Sequence, residues 1–140
     1  MTKYKKIGCK FLVIPGLREE HRPGTCDFPN VVINLNFLGA KAAEYGMTLL
    51  YHNHDVEFIK INGKYALDIL YEEVDEDILK TELDVCWVNV GGENPASYVE
   101  KYSGRVNILH LKDFVGSKSK NMYKLIGIES NEEESQTFEY

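Results

Sequence analysis

The sequence is short of cysteine, of basic charge and of long apolar runs, and each shortage excludes something. Its three cysteines, Cys9, Cys26 and Cys86, are odd in number and form no CxxC pair. Neither a disulfide framework nor a thiolate zinc site is encoded, and reduced thiols in a cytoplasmic protein fit best. The first apolar run, "FLVI", is four residues long, too short for a secretory leader. Nothing approaches the roughly 20 apolar residues of a membrane span. Lys and Arg total 16 against 22 acidic residues, a net charge of −6. Affinity for a phosphate backbone comes mostly from clustered Lys and Arg, so no nucleic-acid partner is expected. The one basic cluster, Lys3, Lys5 and Lys6, reads as a solvated chain start.

What remains is ordinary globular composition: 140 residues, 44% apolar and 27% charged. That suffices for a single domain with a real core. Four short apolar segments read as buried strands: "GCKFLVI" (8–14), "MTLLYH" (47–52), "TELDVCWV" (81–88) and "VNILHL" (106–111). Their hydrophobicity is nearly continuous, as in a parallel sheet covered on both faces. Between the first two, Val31, Leu35, Leu38, Ala42 and Tyr45 form one helical stripe. Asp27 or Asn30 can cap that helix, and Gly46 can end it in the left-handed conformation. In "ENPASYVEKYSG", Asn94 is a helix cap, Pro95 takes the first helical position and Gly104 closes the end. The acidic stretch 64–80 reads as one or two short helices. The resulting βαβαβαβ order is an α/β fold with parallel strands and right-handed crossovers.

In such folds chemistry gathers at the carboxyl ends of the strands, and the polar residues fall there. His52 ends the second strand, with His54 and Glu57 just beyond. Asp84 lies within the third segment. His110 and Lys112 close the fourth, two apart and so on one face. An Asp within an apolar strand is costly unless its charge is compensated. A divalent cation is the simplest common partner, and a carboxylate and imidazole set without thiolate suits Mn²⁺, Mg²⁺, Co²⁺, Fe²⁺ or Zn²⁺. Asp84 could equally form a buried salt bridge or cap a loop, and Trp87 could be core or a platform for substrate. Cys9 and Cys86 read as core residues.

"GCKFLVIPG", "LLYHNHDVEF" and "ELDVCWVNVGGENPASYVEKYSGRVNILHLKDF" together resemble the sugar phosphate isomerase/epimerase family over about residues 7–115. These are xylose-isomerase-like (β/α)8 TIM barrels, related in fold to inosose dehydratase, the ketose 3-epimerases and endonuclease-IV-type nucleases. The resemblance implies one divalent ion held by Glu, Asp, His and a second Glu. Asp84 and His110 match the Asp and His, and Glu57 is the choice for the first Glu. His52 and His54 become ligands or substrate contacts, His54, Glu57 and Lys112 catalytic candidates, and Lys112 faces the substrate oxygens; Trp87, if not core, is the candidate sugar contact. The implied activity is isomerisation or epimerisation of a keto-sugar or sugar phosphate, with an inosose-dehydratase-type elimination as the alternative.

Two departures from the family stand out. The nuclease branch has His three residues after the strand Asp, where this sequence has Trp87, which argues against DNA repair. A TIM barrel also needs about 250 residues, so a partial barrel of four strands is expected. Its missing strands would lie before residue 1 and after a tail at 116–140, and the second metal Glu would lie past Tyr140, since Glu139 does not match it. A half-barrel that needs another chain, and that self-associates through open edges, is therefore the non-catalytic alternative.

Overall fold

The four apolar segments lie side by side. In the computed structural model, which describes residues 1–112, the chain runs α1 (Thr2–Lys6), β1 (Phe11–Ile14), α2 (Phe28–Glu44), β2 (Thr48–His52), β3 (Lys60–Ile61), β4 (Lys64–Tyr65), α3 (Ala66–Glu73), β5 (Leu79–Asp84), α4 (Val85–Val90), α5 (Pro95–Lys101) and β6 (Val106–His110). The main sheet has the order β1-β2-β5-β6, and every pairing in it is parallel. The tail expected at 116–140 lies outside the described residues. Among the described residues, no helix is long and apolar enough to cross a membrane.

Helix α2 forms as its stripe dictates. Val31, Leu35 and Ala42 are buried, and Leu38 and Tyr45 pack at the edge of the core. Asp27 is its N-cap residue by position, but the side chain makes no cap hydrogen bond. That carboxylate is engaged instead by His21 and by Asn30 Nδ2. Gly46, at φ +71°, turns the chain out of the helix and into β2. Within β2, alternation sends Leu49 and Tyr51 into the core cluster and puts His52 on the opposite face.

The acidic stretch yields one helix, α3, preceded by a small hairpin of β3 and β4. Asn62 and Gly63 both take positive φ, 52° and 86°, as a tight hairpin turn requires. Helix α5 starts as expected, with Asn94 Oδ1 accepting from Ser97 N at 3.1 Å. It ends at Lys101 with Tyr102 as C-cap, two residues before Gly104. Cys86 is buried and Cys9 partly so. The lysine-rich start is an exposed helix with no buried residue.

The third segment departs from expectation. The strand begins at Leu79 and stops at Asp84, and 85–90 is helix rather than strand. Asp84 takes extended φ and ψ of −86° and 107° while its side chain accepts from Trp87 N, the geometry of an N-cap. "VCWVNV" is β-branched and aromatic and favours strand locally. Burial of Cys86, Val88 and Val90 in α4 overrides that preference. Trp87 therefore stands on a helix above the strand end.

Candidate functional site

Register builds the site. Parallel pairing aligns Cα of His52 with Glu82, and Cα of Asp84 with His110. His52, Glu82, Asp84 and His110 thus share one face at the carboxyl ends of three adjacent strands. Asp84 is fully buried, and its two oxygens do different work. Oδ1 accepts from Trp87 N at 2.9 Å. Oδ2 is buried without a well-aligned hydrogen bond, yet three nitrogens surround it: His110 Nδ1 at 3.4 Å, His52 Nε2 at 3.6 Å and Lys112 Nζ at 3.1 Å.

His52, Asp84 and His110 each offer a ligand atom, all within 4.8 Å of one another. Two ligands held about 2.1 Å from one ion at the tetrahedral angle lie about 3.4 Å apart. The two His–Asp84 separations match that spacing, and the donor set is mixed imidazole and carboxylate. These residues fit a divalent ion. Lys112 is the internal competitor: its ammonium already faces the same oxygen, from a side chain only 3% exposed.

Two of the imidazoles, His52 and His54, are set up as neutral groups. Burial holds the His52 ring below its ordinary range, outweighing the Asp84 and Glu82 carboxylates that pull the other way. Burial first, and then neighbouring His52, does the same to His54. The His54 ring lies 5.0 Å from that of His52 and 5.1 Å from that of Trp87. Lys112 Nζ sits 5.6 Å over the Trp87 ring, so Trp87, His54 and Lys112 line one wall beside the His–Asp–His group.

Glu57 is placed elsewhere. It is fully buried, with Oε1 accepting from Tyr51 Oη at 2.8 Å and Oε2 from the His54 N–H at 2.7 Å. Both oxygens are engaged in fixing the turn at 55–58, and the structure does not bring them to the His–Asp–His group. Two residues that sequence reasoning passed over do reach it. Glu82 Oε1 lies 3.0 Å from His52 Nδ1, and its spacing of two from Asp84 was the available signal. Asn53, fully buried, clamps the backbone of Asp84; a polar residue in "YHNH" gave no hint of that partner.

Comparison with known proteins agrees with this fold. The model of the xylose isomerase-like TIM barrel family matches residues 4–134. An inosose dehydratase of Clostridium botulinum is 34% identical over 96 residues, covering 66% of this chain and 32% of the relative. One from Geobacillus thermodenitrificans is 32% identical, over 59% of this chain and 27% of the relative. The chain thus spans about a third of the curated relatives it matches. Among solved structures, a sugar phosphate isomerase/epimerase from Parabacteroides distasonis superposes with a TM-score of 0.70 at 27% identity, covering 84% of this chain and 44% of that one. A xylose isomerase domain protein from Planctomyces limnophilus, at 21% identity and a TM-score of 0.57, shares the fold. With parallel strands, helical crossovers and a family match over most of its length, the chain belongs to the xylose isomerase-like TIM barrel family.

Proposed function

We propose that this chain carries the carbonyl-activating centre of a divalent-metal-dependent enzyme that enolises a keto-sugar or its phosphate. The observation that carries the reading is the buried Asp84 Oδ2, faced by His52 and His110 at ligand spacing. His52, Asp84 and His110 would hold the ion, with Mn²⁺, Mg²⁺, Co²⁺, Fe²⁺ and Zn²⁺ all compatible with the donor set. The chemistry such an ion supplies is polarisation of a carbonyl, which acidifies the neighbouring C–H.

The remaining residues take roles that their positions suit. His54, held neutral by burial, accepts the proton from that carbon, and its electron pair moves onto the carbonyl oxygen. Lys112 offers positive charge to the oxygen as it becomes anionic. Trp87 presents a ring face to the C–H face of the sugar. Glu57 acts through His54 by gripping its amide. Returning the proton to a different face or carbon gives epimerisation or isomerisation. Loss of a neighbouring hydroxyl as water gives dehydration, a reading favoured by relatives named inosose dehydratase. The substrate is a small molecule, without nucleic acid or membrane, in the cytoplasm. Turnover is proposed for a barrel completed to the length of the relatives.

The test is metal content first. Residues 1–140, and a chain extended to relative length, are titrated with Co²⁺ and assayed on a panel of keto-sugars and keto-inositols. One bound ion in each, abolished by Asp84→Asn and by His110→Ala, supports the reading, as does turnover confined to the longer chain. An active protein that binds no divalent ion, or an Asp84→Asn variant with full activity, overturns it.

A further inference from the structure

Resting on the metal reading above, we infer that Glu82 is a positioning residue that fixes which nitrogen of His52 faces the ion. A ligating imidazole must present a lone pair, and its other nitrogen must carry the proton; a carboxylate beside that nitrogen decides between the two tautomers. Glu82 is that carboxylate. The register of β2 with β5 pairs the Cα atoms of His52 and Glu82, so both side chains leave the same face of the sheet. Glu82 Oε1 lies 3.0 Å from His52 Nδ1. His110 Nδ1 also lies 3.4 Å from His52 Nδ1, but an anionic oxygen at the shorter distance is the stronger acceptor. The Nδ1–H donates to Glu82. Nε2, 3.6 Å from Asp84 Oδ2, is then left with its lone pair toward the ligand group.

Placement adds to this. His52 is almost completely buried, so water does not supply the partner that its Nδ1–H needs, and the Glu82 side chain is itself only 19% exposed. Glu82 Oε1 is 3.9 Å from His110 Nδ1, the nitrogen that faces Asp84 Oδ2, so only at His52 does the carboxylate stand on the side away from the ligand group. Glu82 touches neither substrate nor ion; it acts through His52.

The experiment reads the tautomer and the ion separately. Long-range ¹H–¹⁵N spectra of the metal-free 140-residue chain report which nitrogen of each imidazole is protonated. His52 is expected as the Nδ1–H form in wild type and in Glu82→Gln, whose amide oxygen still accepts. In Glu82→Ala it is expected to shift toward the Nε2–H form. Co²⁺ affinity, followed by its visible spectrum, is expected to fall roughly 10–100-fold in Glu82→Ala and less in Glu82→Gln. An Nε2–H form of His52 in wild type overturns the assignment without requiring any variant to fold. So does a Glu82→Ala protein with unchanged tautomer and Co²⁺ spectrum. If wild type binds no Co²⁺, the metal centre itself falls and the role of Glu82 with it, an outcome distinct from the other two.

Discussion

Asn53 is joined to the backbone of Asp84 from both sides: its Nδ2 donates to Asp84 O at 3.2 Å, and its Oδ1 accepts from Asp84 N at 2.9 Å. The amide imitates one more residue of strand pairing just past the end of β2. It locks Asp84 at the point where β5 becomes α4. Leaving a buried donor or acceptor unmet costs about 1–3 kcal/mol. Asn53→Ala is therefore expected to lose about 3 kcal/mol in urea unfolding, with a weakened grip on Co²⁺. Unchanged stability would show the clamp to be ornamental.

Trp87 supplies an optical handle on the sugar. The sequence has a single tryptophan, half-buried between the His54 ring and the Lys112 ammonium. A keto-sugar stacked on its ring is expected to change both the intensity and the emission maximum. Titration of the metal-loaded chain with a saturating keto-sugar measures this. A silent spectrum alongside binding detected by calorimetry would return Trp87 to a packing role.

Four phenols set the alkaline limit. Burial first of all raises Tyr51, Tyr71, Tyr98 and Tyr102 well above the ordinary tyrosine value. Carboxylates add to the shift, Glu57 at Tyr51 and Tyr71 and Asp68 at Tyr98 and Tyr102, while Thr81 and Arg105 offset part of it at Tyr71. The folded values lie above the unfolded one, so the folded chain holds more protons at high pH. Stability is then intact below about pH 10 and declines as pH rises beyond it. Near-ultraviolet titration should show these four ionising only together with loss of the circular dichroism signal. Reversible ionisation near pH 10 in a folded chain would contradict the burial.

Self-association is expected from the sheet's two ends. Phe11 and Val13 on β1 are each 37% exposed, and Leu109 on β6 and Leu111 just beyond it are 42% and 59% exposed. Both strands are edges of the main sheet among the described residues, and apolar edges recruit other strands. Sedimentation of residues 1–140 should reveal dimers or larger species that diminish in a Phe11→Ser, Leu109→Ser double variant. A monomer at all concentrations would refute this.

Much of this was legible in the residues, for physical reasons that differ by element. The α2 stripe and the β2 run announce themselves because one face of each is buried, and burial is what periodicity records. Asn94–Pro95 announces α5 because capping is local. The end of β5 was not legible: "DVCWVNV" has strand-like side chains, and only the capping bond from Trp87 N to Asp84 and the burial of Cys86 and Val88 make it turn. Glu57 looks like a ligand because it is a carboxylate beside two histidines; its bond from Tyr51 Oη, on the opposite face of β2 from His52, could not be read from spacing. Glu82 and Asn53 act across strands. The spacing of two puts Glu82 on the face of Asp84, but their partners on the neighbouring strand follow from a register that local sequence does not disclose.

The divided carboxylate of Asp84 also bears on ion choice. With Oδ1 held by the amide of Trp87, only Oδ2 can face a cation, be it the Lys112 ammonium or a metal ion, and rotating the group to offer both would break the cap of α4. Calcium gathers six to eight oxygens and often takes a carboxylate through both at once. A single oxygen set between two imidazole nitrogens is a poor grip for it and a good one for a small transition metal. On the metal reading proposed above, the bend that ends β5 would also disfavour calcium.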